Sequence, residues 1–354
     1  MLAILFSMIM AIFPLSVFSQ LPDGANVNPE AGSVEPPLLF DSNEILNVQI
    51  ATDLNQLIGD IKDDPDYHHA ILSYVQSGSG TISLDVRIKT RGNYRRVRSN
   101  CDFPPLLINF RKKEVKKTIF HGQNKIKLVT HCRTDDSEYE QLLYKEYLVY
   151  RLYNLFTPYS LRVRLMDVTY IDIWNPEHVI KKHAFLTETP EEMADRNGSK
   201  NREVMDLKPE QLDPYHFTLL ALFQYMVINN DWSVPLMKNI KLVSTGEAKQ
   251  LIPVPFDFDF AGFVNAPYRF TEDPEKDVYH DRIYYGPPNS RMEMDKYFVY
   301  FNEKRTDIYD LVGDFELLGR KHKTIANRML NDFYDVVDQP ESCDCGFYVE
   351  EEDK

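Results

Sequence analysis

The chain has 354 residues, 43% of them hydrophobic and 12% aromatic. That is enough apolar surface for one large core or two modest ones, and too much for a disordered chain. Its 54 acidic side chains outnumber 40 basic ones for a formal charge of -14, which argues against non-specific nucleic-acid binding, and the 14 Gly and 21 Pro show no collagen-like period.

Residues 1–19, MLAILFSMIMAIFPLSVFS, carry no charge and end on Val17-Phe18-Ser19, a small residue at a signal-peptidase position. The expectation is a cleaved secretory signal and a product exported to the periplasm, the cell surface or the medium. The alternative is an uncleaved anchor, because the run just reaches bilayer-spanning length, and a membrane is a partner only in that case. Residues 20–40 are rich in Pro, Gly and Asn and read as a linker.

Residues 44–51 alternate like a strand, and 53–61 read as a short polar helix. Residues 69–76 and 81–90 read as strands joined by Ser77-Gly78-Ser79-Gly80, and 106–110 and 125–129 as two more. A helix is expected over 137–156, with Ser137 and Glu140 as a capping box and Thr157-Pro158 as its stop. Strands at 161–173 and 178–187 flank the turn Asn175-Pro176-Glu177.

From Glu188 the pattern becomes helical. A short helix over 191–197 ends at Gly198, and 216–228 is apolar all round and so reads as a buried helix. A hairpin over 239–245 and 249–256, an aromatic Pro-rich loop near 262–290, and helices ending around 320–337 complete the chain. Strands gathered first and helices later predict an α+β fold of two lobes. A β-rich N-lobe would cover 41–188, a helical C-lobe 189–340, and an acidic tail 341–354. Trp174 and Trp232 are expected to pack, and His121, His131 and His183 lack metal-ligand spacing. Cys101 and Cys132, each beside a strand of one sheet, are placed to bridge, with four free thiols as the alternative. Cys343-Asp344-Cys345 reads as too tight for a mutual disulfide.

Three features carry chemistry. Glu146 has Leu142, Leu143, Val149 and Tyr150 as its helical neighbours, so it projects from an apolar stripe and needs a cation. Lys125 and Lys127, on one face of the preceding strand, are the candidates, either for a structural ion pair or for a catalytic one. In YMVINNDWSVPLMKN (225–239), Asp231 follows a buried helix and Asn239 opens the hairpin. In PVPFDFDFAG (253–262), Asp257 and Asp259 leave the hairpin, on one face if the strand continues, with Phe256, Phe258 and Phe260 on the other. An oxygen-only set of Asp, Asn and Asp suits a hard cation and phosphoryl transfer. A turn residue at Asp231 and a loop cap or Ca²⁺ ligand at Asp257 are the plainer alternatives.

Taken in order, these residues resemble the CotH-type kinases, relatives of the protein-kinase superfold, over 86–262. The likeness is carried by Arg91-Gly92-Asn93, by LLYKEYLVYRLYNLF (142–156) with the strand after it, by Phe185-Leu186-Thr187-Glu188, and by NNDWSVPLMKN followed by PFDFD. The resemblance implies a two-lobed protein-kinase-like fold and Mg-ATP-dependent transfer (Mg or Mn) to a hydroxyl, on a protein Ser/Thr. Asp231 would orient or deprotonate the acceptor. Asn239 and Asp257 would hold the metal, with Asp259 as second ligand or in place of Asp257. Glu146 would pair with a phosphate-binding lysine, Lys127 or else Lys125. Arg91 and Glu188 would border the nucleotide. The partners implied are a nucleotide and a protein substrate or envelope partner, with no nucleic acid. An inactive kinase-like binding module, or a structural envelope or coat protein, is the alternative. The stretch 85–133 holds 14 Lys/Arg against Asp85, Asp102 and Glu114, as if to face an anion, and Arg91, Arg95 and Arg96 stand out from an otherwise solvated face.

Overall fold

The computed structural model describes residues 38–204, 206–246, 250–269 and 281–349. The expected signal, most of the linker, part of the 262–290 loop and the end of the tail lie outside the described residues.

Seven strands close into a barrel in the order β1-β2-β3-β4-β5-β7-β6. They are β1 (Leu46–Thr52), β2 (His68–Gln76), β3 (Gly80–Thr90), β4 (Leu106–Phe110), β5 (Lys125–Val129), β6 (Val163–Asp172) and β7 (Val179–Thr187). Neighbours pair antiparallel except β1 with β6, whose parallel register (Val48 opposite Val168) seals the barrel. Alternation fills the inside: Leu72, Val86, Ile88, Ile108, Ile126 and Val168 belong to one buried cluster. Leu39 and Phe40 join that core and the Arg164 guanidinium donates to the Leu39 carbonyl, so the expected linker stops short of residue 40. Gly78 and Gly80, at φ +76° and +75°, make the β2–β3 turn. A six-residue helix, α1 (Leu54–Gly59), links β1 to β2.

The main helix, α2 (Ser137–Asn154), is capped by Asp136, whose carboxylate accepts from the Glu138 N–H. Ser137 lies inside the helix and is not its cap; the Asp136 carboxylate, one residue earlier, reaches the free Glu138 N–H. Residues from Leu142 to Tyr150 are all buried, because α2 packs on β6 and β7 on one side and on the C-terminal helices on the other. Its partners are Phe185 of β7 on one side and helical residues such as Phe223 on the other, in a core distinct from the barrel interior.

After β7 come α3 (Pro190–Arg196), with a Thr189/Glu192 capping box, and α4 (Pro214–Met226), buried along most of its length. A strand that the sequence pattern missed, β8 (Ser199–Arg202), adds to β9 (Ile240–Thr245) and β10 (Leu251–Pro255) in a three-stranded sheet; SKNR is polar and shows no apolar alternation. Helices α5 (Arg291–Glu303), α6 (Arg305–Gly313) and α7 (Arg320–Asp338) finish the core.

Residues 341–349, expected to be tail, dock on these helices: Phe347 is buried against Tyr225, Tyr284 and Phe298. Both cystines are formed. Cys101–Cys132 fits the expectation, but Cys343–Cys345 overturns it, because the chain bends to a Cα–Cα separation of 5.3 Å, inside disulfide range. Trp232 packs, whereas Trp174 is exposed and its indole N–H donates to Asp53 Oδ2 at 2.9 Å.

Candidate functional site

Two adjoining cavities lie where the end of β5 and the middle of α2 meet the β9–β10 hairpin, and they share Arg91, Val129, Glu146 and Asp257. The first carries Lys125, Lys127 and Lys241 as well as Arg91, between apolar walls that include Leu107, Leu161 and Phe256. The second carries Asp231, Asn239 and Asp259 with Arg95 and Lys238. The nine residues given roles from the sequence (Arg91, Lys125, Lys127, Glu146, Glu188, Asp231, Asn239, Asp257 and Asp259) line one cavity or the other, whereas Arg96 lines neither.

The acidic cavity is built by strained loops. Among the described residues, seven that are not glycine have positive φ, and four of them (Ile228, Met237, Asn239 and Asp257) fall in the segment that shapes this cavity. A β-branched residue at φ +53°, as Ile228 is, costs of the order of 1–3 kcal/mol and persists only when its surroundings enforce it. Here the N–H groups of Gly262 and Phe263 donate to the carbonyls of Ile228 and Val227 at 2.8 and 3.0 Å. A Cβ at position 262 would meet Ile228 Cβ at 2.7 Å, so only glycine permits that approach.

Asp231 leaves this turn with its N–H on Asn229 Oδ1 at 3.1 Å. The Asn239 amide donates both to the Asp231 carbonyl, at 2.8 Å, and to its Oδ2, at 2.9 Å, and Lys238 pairs with Oδ1. The hairpin closes as expected, with the Phe256 N–H donating to the Asn239 carbonyl at 3.1 Å.

The Asp-Phe-Asp segment does not continue the strand. β10 ends at Pro255, Asp257 turns left-handed at φ +62°, and its N–H donates to Tyr150 Oη of α2 at 2.8 Å. Phe258 is consequently buried, and the expected sorting of acids and rings onto opposite faces does not apply. The Asp257 carboxylate makes no hydrogen bond or ion pair among the described residues. That of Asp259 is held by Arg95 at 2.8 Å.

Glu146 is buried, and its cation is neither lysine. Arg95 Nη2 lies 3.0 Å from Glu146 Oε2 and 2.7 Å from Tyr268 Oη, and stacks over the Tyr268 ring. The expected Lys127–Glu146 and Lys125–Glu146 pairs are thus corrected. A guanidinium satisfies several buried oxygens at once, which an ammonium on a strand facing the neighbouring cavity does not. Burial pushes the carboxyls of Glu146 and Asp259 upward, and Arg95 opposes that shift. Burial alone would lower Arg95, but Tyr268, Asp259 and Glu146 hold it well above its ordinary value.

In the basic cavity, Lys127 and Lys241 sit 5.0 and 5.5 Å above the Phe256 ring. Burial and the neighbouring Arg91 bring the Lys127 ammonium down to about 8, with Asp257 opposing. Arg91, Lys125, Lys127 and Lys241 form no ion pair among the described residues, and Lys125 is exposed to solvent.

Glu188 lines the basic cavity, but its carboxylate is committed to two arginines. It is buried between Arg162 Nη2, at 3.0 Å, and Arg196 Nη2, at 2.9 Å, with both carboxylate oxygens occupied. Arg96 turns away to donate to the Asp63 carbonyl at 2.7 Å. Arg95 is the site residue whose role sequence reasoning missed, although its place in a locally unbalanced basic stretch marked it for testing.

Among the described residues, no group of three or more His, Cys, Asp or Glu side chains is disposed to hold a metal by itself. The oxygen-rich donor set fits a hard ion that takes one carboxylate and completes its shell elsewhere. Asp257 would be that carboxylate, and Asn239 lines the same cavity. The Asp259 carboxylate is already engaged by Arg95.

No protein-family model and no curated protein matches the chain, so the CotH-type likeness rests on the motif residues themselves. Two solved structures of Golgi casein kinase are similar over much of its length. One covers 87% of this chain and 77% of its own at 7% identity and a TM-score of 0.33. The other, described as having Mn/ADP bound, covers 84% and 73% at 10% identity and a TM-score of 0.31.

Proposed function

We propose that this protein is a kinase-like phosphotransferase that moves the γ-phosphoryl group of ATP to a hydroxyl, on a protein Ser/Thr side chain. The observation that carries the reading is the junction of the two cavities at Asp257: unpaired cations on one side, a carboxylate cluster on the other. A triphosphate would lie along Arg91, Lys125, Lys127 and Lys241, with its base against the apolar wall near Leu161. In this reading 41–188 and 189–340 act as the two lobes, and the stretch ending at Glu188 crosses between them. A divalent Mg²⁺ or Mn²⁺ on Asp257 and Asn239 would supply charge neutralisation of the phosphates.

Asp231 does the remaining work. Held by Asn239 and Lys238, its carboxylate accepts the proton of the acceptor hydroxyl. The hydroxyl oxygen bonds to the γ-phosphorus, the bond from that phosphorus to the β–γ bridging oxygen breaks, and ADP departs. The apolar opening segment and the two cystines support export, since disulfides persist in oxidising compartments.

The test combines thermal shift with transfer. ATP plus Mg²⁺ should raise the melting temperature, and Asp257→Ala should abolish that shift. Asp231→Ala should keep the shift and lose autophosphorylation by about 100-fold or more. A second reading, an inactive nucleotide-binding module, is favoured by the pairing of Glu146 with Arg95 in place of a lysine. It predicts the shift without transfer in the wild type. A flat response to nucleotide and metal would sink both readings.

A further inference from the structure

Arg95 occupies an unusual position. One of its nitrogens, Nη2, has three oxygens around it: Tyr268 Oη at 2.7 Å, Asp259 Oδ2 at 2.8 Å and Glu146 Oε2 at 3.0 Å. The segment carrying it is anchored at its far end by the Cys101–Cys132 disulfide. At its near end the Tyr94 ring packs on Phe260 and Tyr268, 6.4 and 5.2 Å away. The guanidinium is therefore positioned by the fold, not merely attracted from solvent.

We propose that Arg95 is a resident cation standing where a second divalent ion would otherwise bind, so that the cleft takes one divalent ion, at Asp257 and Asn239. The proposal rests on the nucleotide–metal reading of the cleft. A divalent ion on Asp259 Oδ2 needs the space that Nη2 fills, and two cations cannot share it. Arginine does not yield by losing its proton, and leaving would strand Glu146 without a partner.

The experiment counts Mn²⁺ bound by the full chain at saturating ADP, from the paramagnetic resonance signal of the free ion. Wild type should bind one Mn²⁺, and Asp259→Asn should bind one with affinity changed less than about threefold. Arg95→Met should bind two, because Asp259 and Glu146 are released. If Arg95→Met does not fold, Asp259→Asn decides. Two ions in wild type, a tenfold or greater affinity loss in Asp259→Asn, or a single ion in a folded Arg95→Met would overturn the proposal and leave the nucleotide reading standing. No Mn²⁺ bound by wild type would overturn both.

Discussion

Two charged regions lie one strand apart and behave oppositely. At the end of β7, Glu188 is saturated. Arg162 and Arg196 grip its carboxylate, and Arg196 goes on to donate to the Ser160 carbonyl at 2.9 Å. That hub joins the start of β6 to α3, with every charge answered. In the neighbouring cleft, among the described residues, the cations on β5 and β9 and the Asp257 carboxylate form no ion pair. Exposure differs as well: Glu188 is buried, whereas Arg91, Lys127, Lys241 and Asp257 are half-buried and Lys125 is exposed. Pairing is the sharper difference: unmatched charge costs stability where it is sheltered from water, so a partly buried surplus in a cleft marks a candidate binding site.

The comparison can be broken at its saturated end first. Glu188→Ala strands two arginines and should cost about 3–5 kcal/mol in chemical denaturation. A loss below about 1 kcal/mol would show that the hub is no more structural than the cleft.

The unsaturated end predicts the reverse sign. Lys127→Met should stabilise the protein by the order of 1–3 kcal/mol at pH 7, while weakening nucleotide binding tenfold or more. The folded state holds Lys127 at about 8 against an ordinary 10.5, so below pH 8 the wild type carries the full cost of the buried ammonium. Between pH 8 and 10.5 the unfolded chain binds more protons, wild-type stability rises with pH, and the advantage of the variant should fade. Denaturation midpoints of both proteins across this range measure it. A destabilised Lys127→Met would mean that the lysine is already matched.

The smallest effect sharpens the contrast at an ordinary surface pair. Burial works against the Glu140 carboxyl, but hydrogen bonds from His183 and Lys182 hold it down at about 2 from 4.5. That stabilisation is full above pH 4.5 and lost as pH falls through 2. Glu140→Gln should cost about 1 kcal/mol at neutral pH, reduced by solvent screening because the pair still meets water, and nothing in strong acid. A difference that persists in acid would assign the effect to packing.

Much of this was legible locally. Strand alternation marked every barrel strand within a few residues, and a buried helix followed by a hairpin brought Asp231, Asn239 and Asp257 to one place. These features depend on neighbours in sequence, on side-chain period, capping and turn chemistry. Glu146 also announced its need for a cation, because four apolar helical neighbours buried it.

What answered that need was decided in three dimensions. Arg95 is 51 residues away and Tyr268 lies 173 residues from Arg95, and no periodicity links them. The same holds for the parallel β1–β6 seam that closes the barrel and for the left-handed turn at Asp257, which Tyr150 of α2 fixes. The amino-acid order alone set the elements and the types of charge, because helices and strands are stabilised by contacts a few residues apart. Which charges cancel and which remain free was set only by tertiary packing, because Coulomb partners are chosen by distance through the fold and not along the chain.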